Sequence, residues 1–380
     1  MDYVAPWWLP GGNVQTIWAA LRARRFVGPP PVFRRERWNT PDQDFVDVDW
    51  LLDVAPTLAT SPVTPPAPAA SNSALPLNGA GLDLAGPGHC ARAGGQPLLV
   101  VFHGLEGSSA SHYAQAFADV ARGRGWAFAV PHFRGCSGEP NLAPRAYHSG
   151  DFTEIDWMLR RFVREHAGPV LAVGISLGGN ALMRWAAELG VSAGELVSAV
   201  ASVCSPLDLT ASGQAISRGF NRQVYTRMFL STMVPKALQK LEQHPGLFDR
   251  QALLAARDLH AFDDVFTGPV HGFGGADAYW QLASAKPHLR QIAIPALALN
   301  ALNDPFVPAS SLPQRADVSR HVTLWQPAYG GHVGFPAASY PAHVRAMPEA
   351  VAAFLAAQLS AGSSGGVPAS RIPAGQNSAK

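Results

Sequence analysis

The chain has 380 residues, of which 47% are hydrophobic, and a formal net charge of +2. That length admits one large α/β domain or two smaller ones, with ample apolar content for a core. The charge is too balanced to suggest nucleic-acid binding, and no apolar run approaches the length of a membrane-spanning helix.

Taken in chain order, the N-terminus "MDYVAPWWLPGGNVQ" lacks a basic region followed by an apolar stretch, so no secretory signal is expected. Cys90, Cys136 and Cys204 are few and odd in number, which implies no disulfide framework. Both features point to a reducing compartment, the cytoplasm. Trp7 and Trp8 are expected to pack the N-terminal segment onto the core, although they leave open a peripheral membrane contact. Two strands are predicted near residues 32–37 and 45–52. Residues 54–95 are Ala, Pro, Gly, Ser and Asn with few charges, and are expected to form a low-complexity surface insertion.

From residue 96 the texture changes. "QPLLVVFHG" is a buried strand that ends in a glycine turn. "HYAQAFADVARGRG" is a helix closed by Gly125, and "WAFAVPHF" is a strand. "FTEIDWMLRRFVREHAG" is a helix capped by Asp151 or Thr153 and ended by Gly168. "GPVLAVGI" is a strand, "LGGNALMRWAAEL" a helix, and "LVSAVASVCSP" a strand. This alternation predicts a mostly parallel sheet with helices on both faces. Residues 207–285 break the rhythm with two helical stretches, "AISRGFNRQVYTRMFLSTMVPKALQKLEQ" and "RQALLAARDLHAFDDVF", and no strand. They predict an inserted helical cap. Its stripe of Phe220, Tyr225, Met228, Phe229 and Met233 is expected to dock the cap on the core, with a ligand-facing role as the alternative. The sheet resumes with "IAIPALALNALND" and "HVTLWQPAYGGH", and the helix "MPEAVAAFLAAQL" closes a single domain over 1–360. Residues 361–380 are expected to be a disordered tail.

Ser176 lies in G-x-S-x-G, a pattern that is weak by itself; Gly362, Ser364 and Gly366 also satisfy it. The strand–turn–helix context separates them. A serine in a sharp turn after a buried strand projects from the top of a sheet, whereas Ser364 sits in the Gly/Ser-rich tail. A serine hydroxyl needs a base, and the base needs an orienting acceptor on its other ring nitrogen. Asp304 follows a strand end in "NDPFVP", and His332 lies in a Gly-Gly-His loop after the last strand. Asp208 is the alternative acid; Asp263 and Asp264 are poorer candidates. The expected oxyanion donors are the backbone N–H groups of Leu177, after the nucleophile, and Leu105, in the turn after the third strand. His103 has no second His or Cys nearby at ligand spacing, so no metal is expected.

The stretches "FHGLEGSSASHYAQAFA", "HFRGCSGEPN", "YHSGDFTEIDWML", "GISLGGNALMRW", "ALNDPFVP" and "GGHVGF" resemble the YheT-like branch of the α/β-hydrolase superfamily, which is related to animal membrane-associated ABHD-type esterases. "PWWLPGGNVQTIWAAL", with Asn13, Gln15 and Thr16, resembles that branch's N-terminal segment, and "FDDVFTGPVHGFGGADAYWQLAS" resembles the stretch before its acid strand. The resemblance spans most of residues 5–355. It implies a Ser-Asp-His hydrolase with carboxylesterase-like activity and no cofactor, and it maps nucleophile, acid and base onto Ser176, Asp304 and His332. Two departures stand out: the length of the 54–95 insertion, and Asn303, where the family often carries a second acidic residue. The expected substrate is a small-molecule ester or lipid. The alternatives are an acyltransferase or thioesterase using the same three residues, or a non-enzymatic ligand- or lipid-binding protein on the same fold.

Overall fold

The computed structural model describes residues 3–52 and 95–363. The expected 54–95 insertion, apart from Gly95, and the tail from 364 lie outside the described residues. Eight strands form one sheet in the order β1-β2-β4-β3-β5-β6-β7-β8. An edge hairpin of β1 (Phe33–Asn39) and β2 (Phe45–Leu51) joins antiparallel to β4 (Ala127–Pro131). The remaining neighbours are all parallel: β3 (Leu98–Phe102), β5 (Val170–Ile175), β6 (Ala199–Val203), β7 (Ala296–Leu299) and β8 (Val322–Trp325).

The apolar runs of β3 and β5 are continuous because the sheet is covered on both faces. Alternate side chains point to opposite sides. Leu98, Val100 and Phe102 of β3 join Val170 and Ala172 of β5 in one core cluster; Leu99 and Val101 join Leu171, Val173 and Ile175 in the other. The first cluster is closed by α3 (Phe152–Glu165) and α4 (Leu177–Leu189), the second by α2 (His112–Gly123) and the C-terminal helix. Asp151 is the cap of α3, accepting from the Glu154 N–H. That helix stops at Glu165, short of Gly168, because His166 is already extended.

An N-terminal helix, α1 (Gly12–Leu21), precedes the sheet. Trp8 packs against Trp18 and Tyr340, but Trp7 is 91% exposed, so only one of the two tryptophans anchors this segment. Between β6 and β7 the chain forms the helical cap. It begins with α5 (Leu209–Ile216) and α6 (Gly219–Asn221), which runs through a π-helical turn into α7 (Arg227–Gln243). After these come α8 (Arg250–Ala255), α9 (Leu259–Phe262), α10 (Gly268–Val270) and α11 (Ala276–Ala283). Each of the two long helices expected here is interrupted. The first breaks where Arg218 is extended and Gly219 takes φ +51°. The second breaks at extended Ala256, and Asp258 starts a new helix by accepting from the Ala261 N–H. The last helix, α12 (Ala346–Ser363), runs three residues into the stretch expected to be tail.

A largely buried ionic cluster ties the β1–β2 hairpin to the segment after β4 and to α3. Arg134 donates to Glu154 (2.6 Å), Asp44 (2.7 Å) and Asp42 (2.9 Å). Asp44 also accepts from the Asn141 amide and from the N–H groups of Leu142, Phe45 and Ala143. Burial alone would raise the Asp44 carboxyl; the Asn141 amide and those N–H groups reverse this and hold it at about 2. Removing Asp44 leaves Arg134 with Glu154 and Asp42, but takes the acceptor from the Asn141 amide and from the N–H groups of Leu142, Phe45 and Ala143. Asp44→Ala is expected to destabilise the protein by about 3–5 kcal/mol, measured by urea unfolding at pH 7. Because the folded carboxyl titrates below its ordinary 3.8, its contribution is present above pH 4 and fades as pH falls towards 2, so the difference between wild type and variant should narrow over that window.

Candidate active site

Three loops at the carboxyl ends of parallel strands converge. Ser176 stands between β5 and α4 with φ +51° and ψ −116°, a left-handed turn that a side chain occupies only when its surroundings hold it there. The approach of helix to strand requires glycine: a Cβ on Gly174 would collide with Gly179, and one on Gly179 with the Ser205 hydroxyl. The Ser176 N–H is tied to the Val203 carbonyl (2.8 Å), leaving Oγ as the free reactive atom.

His332 lies in the loop after β8. Its Nε2 is 3.0 Å from Ser176 Oγ, and its Nδ1 is 2.9 Å from Asp304 Oδ2. A carboxylate accepts from an N–H, so the proton belongs on Nδ1 and Nε2 accepts from the serine hydroxyl. Asp304, in the loop after β7, is buried and also accepts from the N–H groups of Phe306 (2.8 Å) and Val307 (3.3 Å). Phe306 covers the imidazole at 4.2 Å between ring centres. The alternative acid, Asp208, is elsewhere: it caps α5 by accepting from the Ala211 N–H. Asp263 accepts from Trp280 Nε1 in the cap (2.8 Å), and Asp264 from the Ala276 N–H.

In the turn after β3, the Gly104 N–H donates to Tyr113, the Glu106 N–H to Tyr147 and the Gly107 N–H to the Gly104 carbonyl. The Leu105 N–H between them has no acceptor among the described residues, and neither has the Leu177 N–H at the start of α4. His103 is fully buried; it bonds the Gly104 carbonyl through Nδ1 and accepts the Phe133 N–H at Nε2. Burial, aided by nearby His132, pushes it down to about 3, so it stays neutral and shapes the turn.

Sequence reasoning missed Cys204, read only for its disulfide potential. It sits at φ +50° after β6, and its sulfur accepts the Val333 N–H (3.2 Å). Cys204, Asp304 and His332 place one donor atom each within 4.8 Å of one another. Burial, reinforced by the Asp304 charge, pushes the thiol well above its ordinary range. It therefore keeps its proton, and the trio is a hydrogen-bonded support better than a metal cradle.

A cavity of about 340 Å³ reaches from Ser176 and His332 beneath the cap. Leu105 and Leu177 line it on the sheet side; Ile216, Phe229, Met233, Phe266 and Trp280 line it from the cap. The stripe expected to dock the cap is therefore divided. Tyr225 packs on Phe306, Phe229 and Met233 face the cavity, and Phe220 and Met228 are each 53% exposed. At the rim, Lys236 of α7 pairs with Glu106 (2.7 Å).

A serine in a strand–turn–helix elbow on a sheet of this order defines an α/β-hydrolase fold. The family described as the alpha/beta hydrolase fold matches residues 97–337. The YheT protein of Escherichia coli K12 is 41% identical over 259 residues, which is 67% of this chain and 75% of that protein. An abhydrolase domain-containing protein of Dictyostelium discoideum is 30% identical, over 65% of this chain and 63% of that protein. Phospholipase ABHD3 of Mus musculus is 27% identical, over 82% of this chain and 69% of that protein. The chain belongs to the α/β-hydrolase family, in its YheT-like branch. Activity of the esterase and lipase type is thereby supported.

Proposed function

We propose that this protein is a serine hydrolase that cleaves carboxylic esters through an acyl-enzyme on Ser176. His332 takes the serine proton as Oγ attacks the ester carbonyl, and returns it to the leaving alcohol. Asp304 holds the ring and stabilises the imidazolium. The N–H groups of Leu105 and Leu177 receive the oxyanion, and water then releases the acid. No cofactor is required. The observation that carries this reading is His332, bonded on one side to Ser176 and on the other to Asp304, beside the Leu105 and Leu177 N–H groups, which have no acceptor among the described residues and whose residues line the same cavity. We read residues 1–360 as one catalytic unit with 207–285 as its cap, acting on an ester or lipid in the cytoplasm. The two described cysteines, Cys136 and Cys204, are free, and no described helix is long and apolar enough to cross a membrane.

A fluorophosphonate probe followed by peptide mapping tests the reading. An adduct on Ser176 is expected; folded protein with no adduct would bring the lipid-binding alternative forward. Adding an alcohol acceptor separates hydrolysis from acyl transfer, since ester formation would compete with acid release.

The apolar cap lining implies an acyl chain directed under α7. Met233→Trp fills that space. Expected is a drop of roughly tenfold in kcat/KM for a p-nitrophenyl decanoate with little change for the acetate. Equal losses on both esters would place the acyl chain elsewhere.

A further inference from the structure

The loop that carries His332 belongs to no strand or helix, and its backbone is costly to hold. Gly330 and Gly331 have φ +150° and +62°, and Val333 and Phe335 have φ +56° and +43°. A non-glycine residue in that region persists only where its surroundings over-determine it. Two of its three side-chain anchors come from the opposite end of the chain. Three consecutive N–H groups of this loop donate to three side chains: Gly330 to Gln15 Oε1 (2.9 Å), Gly331 to Asn303 Oδ1 (3.0 Å) and His332 to Thr16 Oγ1 (2.8 Å). Gln15 Oε1 also accepts from Asn303 Nδ2 (3.0 Å), so the base loop and the acid loop are joined through one amide.

The two helix residues are themselves fixed. Gln15 is 1% exposed, and its Nε2 donates to the Leu9 carbonyl (2.9 Å); the Thr16 hydroxyl donates to the Gly12 carbonyl (2.7 Å). With its proton committed there, Thr16 Oγ1 can only accept from His332. Helix and loops also meet backbone to backbone: a Cβ on Gly12 would collide with the Asn303 carbonyl, and one on Gly331 with the Gly12 carbonyl. Asn13 accepts from Tyr225 (2.9 Å), which ties the same helix to the cap.

We infer that Gln15 and Thr16 are positioning residues, which hold the His332 loop against the Asp304 loop at the spacing the reaction needs. Asn303 completes the link: where a carboxylate would accept only, its amide accepts from Gly331 and donates to Gln15. The inference rests on the Ser176–His332–Asp304 reading for its effect on turnover, but the anchoring of the loop is a separate observable. A misplacement near 1 Å costs up to about a hundredfold in rate.

The experiment compares wild type, Thr16→Val, Thr16→Ser and Gln15→Leu in the full chain. It measures p-nitrophenyl butyrate kinetics, fluorophosphonate labelling rate, melting temperature and hydrogen exchange over residues 328–334. For Thr16→Val and Gln15→Leu the expected result is a fall of about ten- to a hundredfold in kcat with KM little changed. Labelling should slow by a similar factor and the loop amides should lose protection, while Thr16→Ser behaves as wild type. Unchanged kcat and labelling in both variants, with only a lower melting temperature, would overturn the inference, because the contacts would then merely staple the N-terminal segment. If wild type itself takes no label at Ser176, the nucleophile reading fails, and exchange alone decides the positioning: lost loop protection upholds it and unchanged protection overturns it. If Gln15→Leu does not fold, Thr16→Val against Thr16→Ser decides by the same readouts.

Discussion

Ser176→Ala is expected to lower ester turnover by roughly 10⁵–10⁶-fold while leaving the melting temperature within a few degrees of wild type. The size follows from what the substitution removes. The hydroxyl oxygen is the atom of Ser176 that bonds His332, and without it no acyl-enzyme can form. The fold is spared because the elbow is held by backbone and glycine contacts: the Ser176 N–H to Val203, the Gly179 N–H to the Ser176 carbonyl, and the close approach of Gly174 to Gly179. Alanine has the same Cβ and so meets the same φ of +51° at no new steric cost. The residual rate should reflect water attacking a carbonyl still polarised by the Leu105 and Leu177 N–H groups. Turnover of p-nitrophenyl butyrate, with circular dichroism on the same sample, checks this. Full activity in a folded Ser176→Ala variant would end the acyl-enzyme reading.

How much of this was legible in the sequence depends on how local each signal was. The elbow was legible because strand, turn and helix are contiguous: an apolar run opened by Gly168-Pro169, then Ser176 between glycines, then helical spacing. Asp304 and His332 were legible because each follows a strand end, and parallel strands deliver their carboxyl ends to one edge. The bonds that hold His332 in place were not. Gln15 meets Asn303 and Gly330, and Thr16 meets His332, across separations of 288 to 316 residues, and no periodicity encodes such a pairing. Their only trace was the resemblance of the N-terminal segment. In the sequence Asn303 stands out only for the acidic residue it replaces, whereas its use lies in donating and accepting at once. The cap shows a different limit. Apolar spacing reveals that residues 207–285 are helical, but Asp258 reads as one more charge until Ala256 turns extended and a new helix starts. Trp7 and Trp8 mark a third: adjacent side chains in an irregular segment point apart, and only tertiary contacts decide that Trp8 meets Trp18 and Tyr340 while Trp7 faces solvent.

Asp304→Asn is the sharper test of the site, because it preserves shape and removes one charge. The new amide oxygen can still accept from the Phe306 and Val307 N–H groups, which oriented the carboxylate. Its NH2 would then face His332 Nδ1, and a donor facing that nitrogen favours the tautomer with the proton on Nε2. In that form Nε2 donates towards Ser176 Oγ and cannot take its proton. A loss of roughly 10⁴-fold in kcat is expected, with correspondingly slow fluorophosphonate labelling and near-native stability. Cys204 does not substitute for the missing acid, since burial holds its thiol protonated and its sulfur already accepts the Val333 N–H. The contrasting variant is Asp208→Ala, which removes the α5 cap bond to the Ala211 N–H and touches no part of the His332 ring. It is expected to cost about 1 kcal/mol of stability and less than a few-fold in rate. The pair of variants separates the two carboxylates by mechanism. If Asp208→Ala abolished turnover while Asp304→Asn kept it, the acid would lie in the segment after β6, at the start of α5, and the His332 loop would have to move away from Asp304 during the reaction.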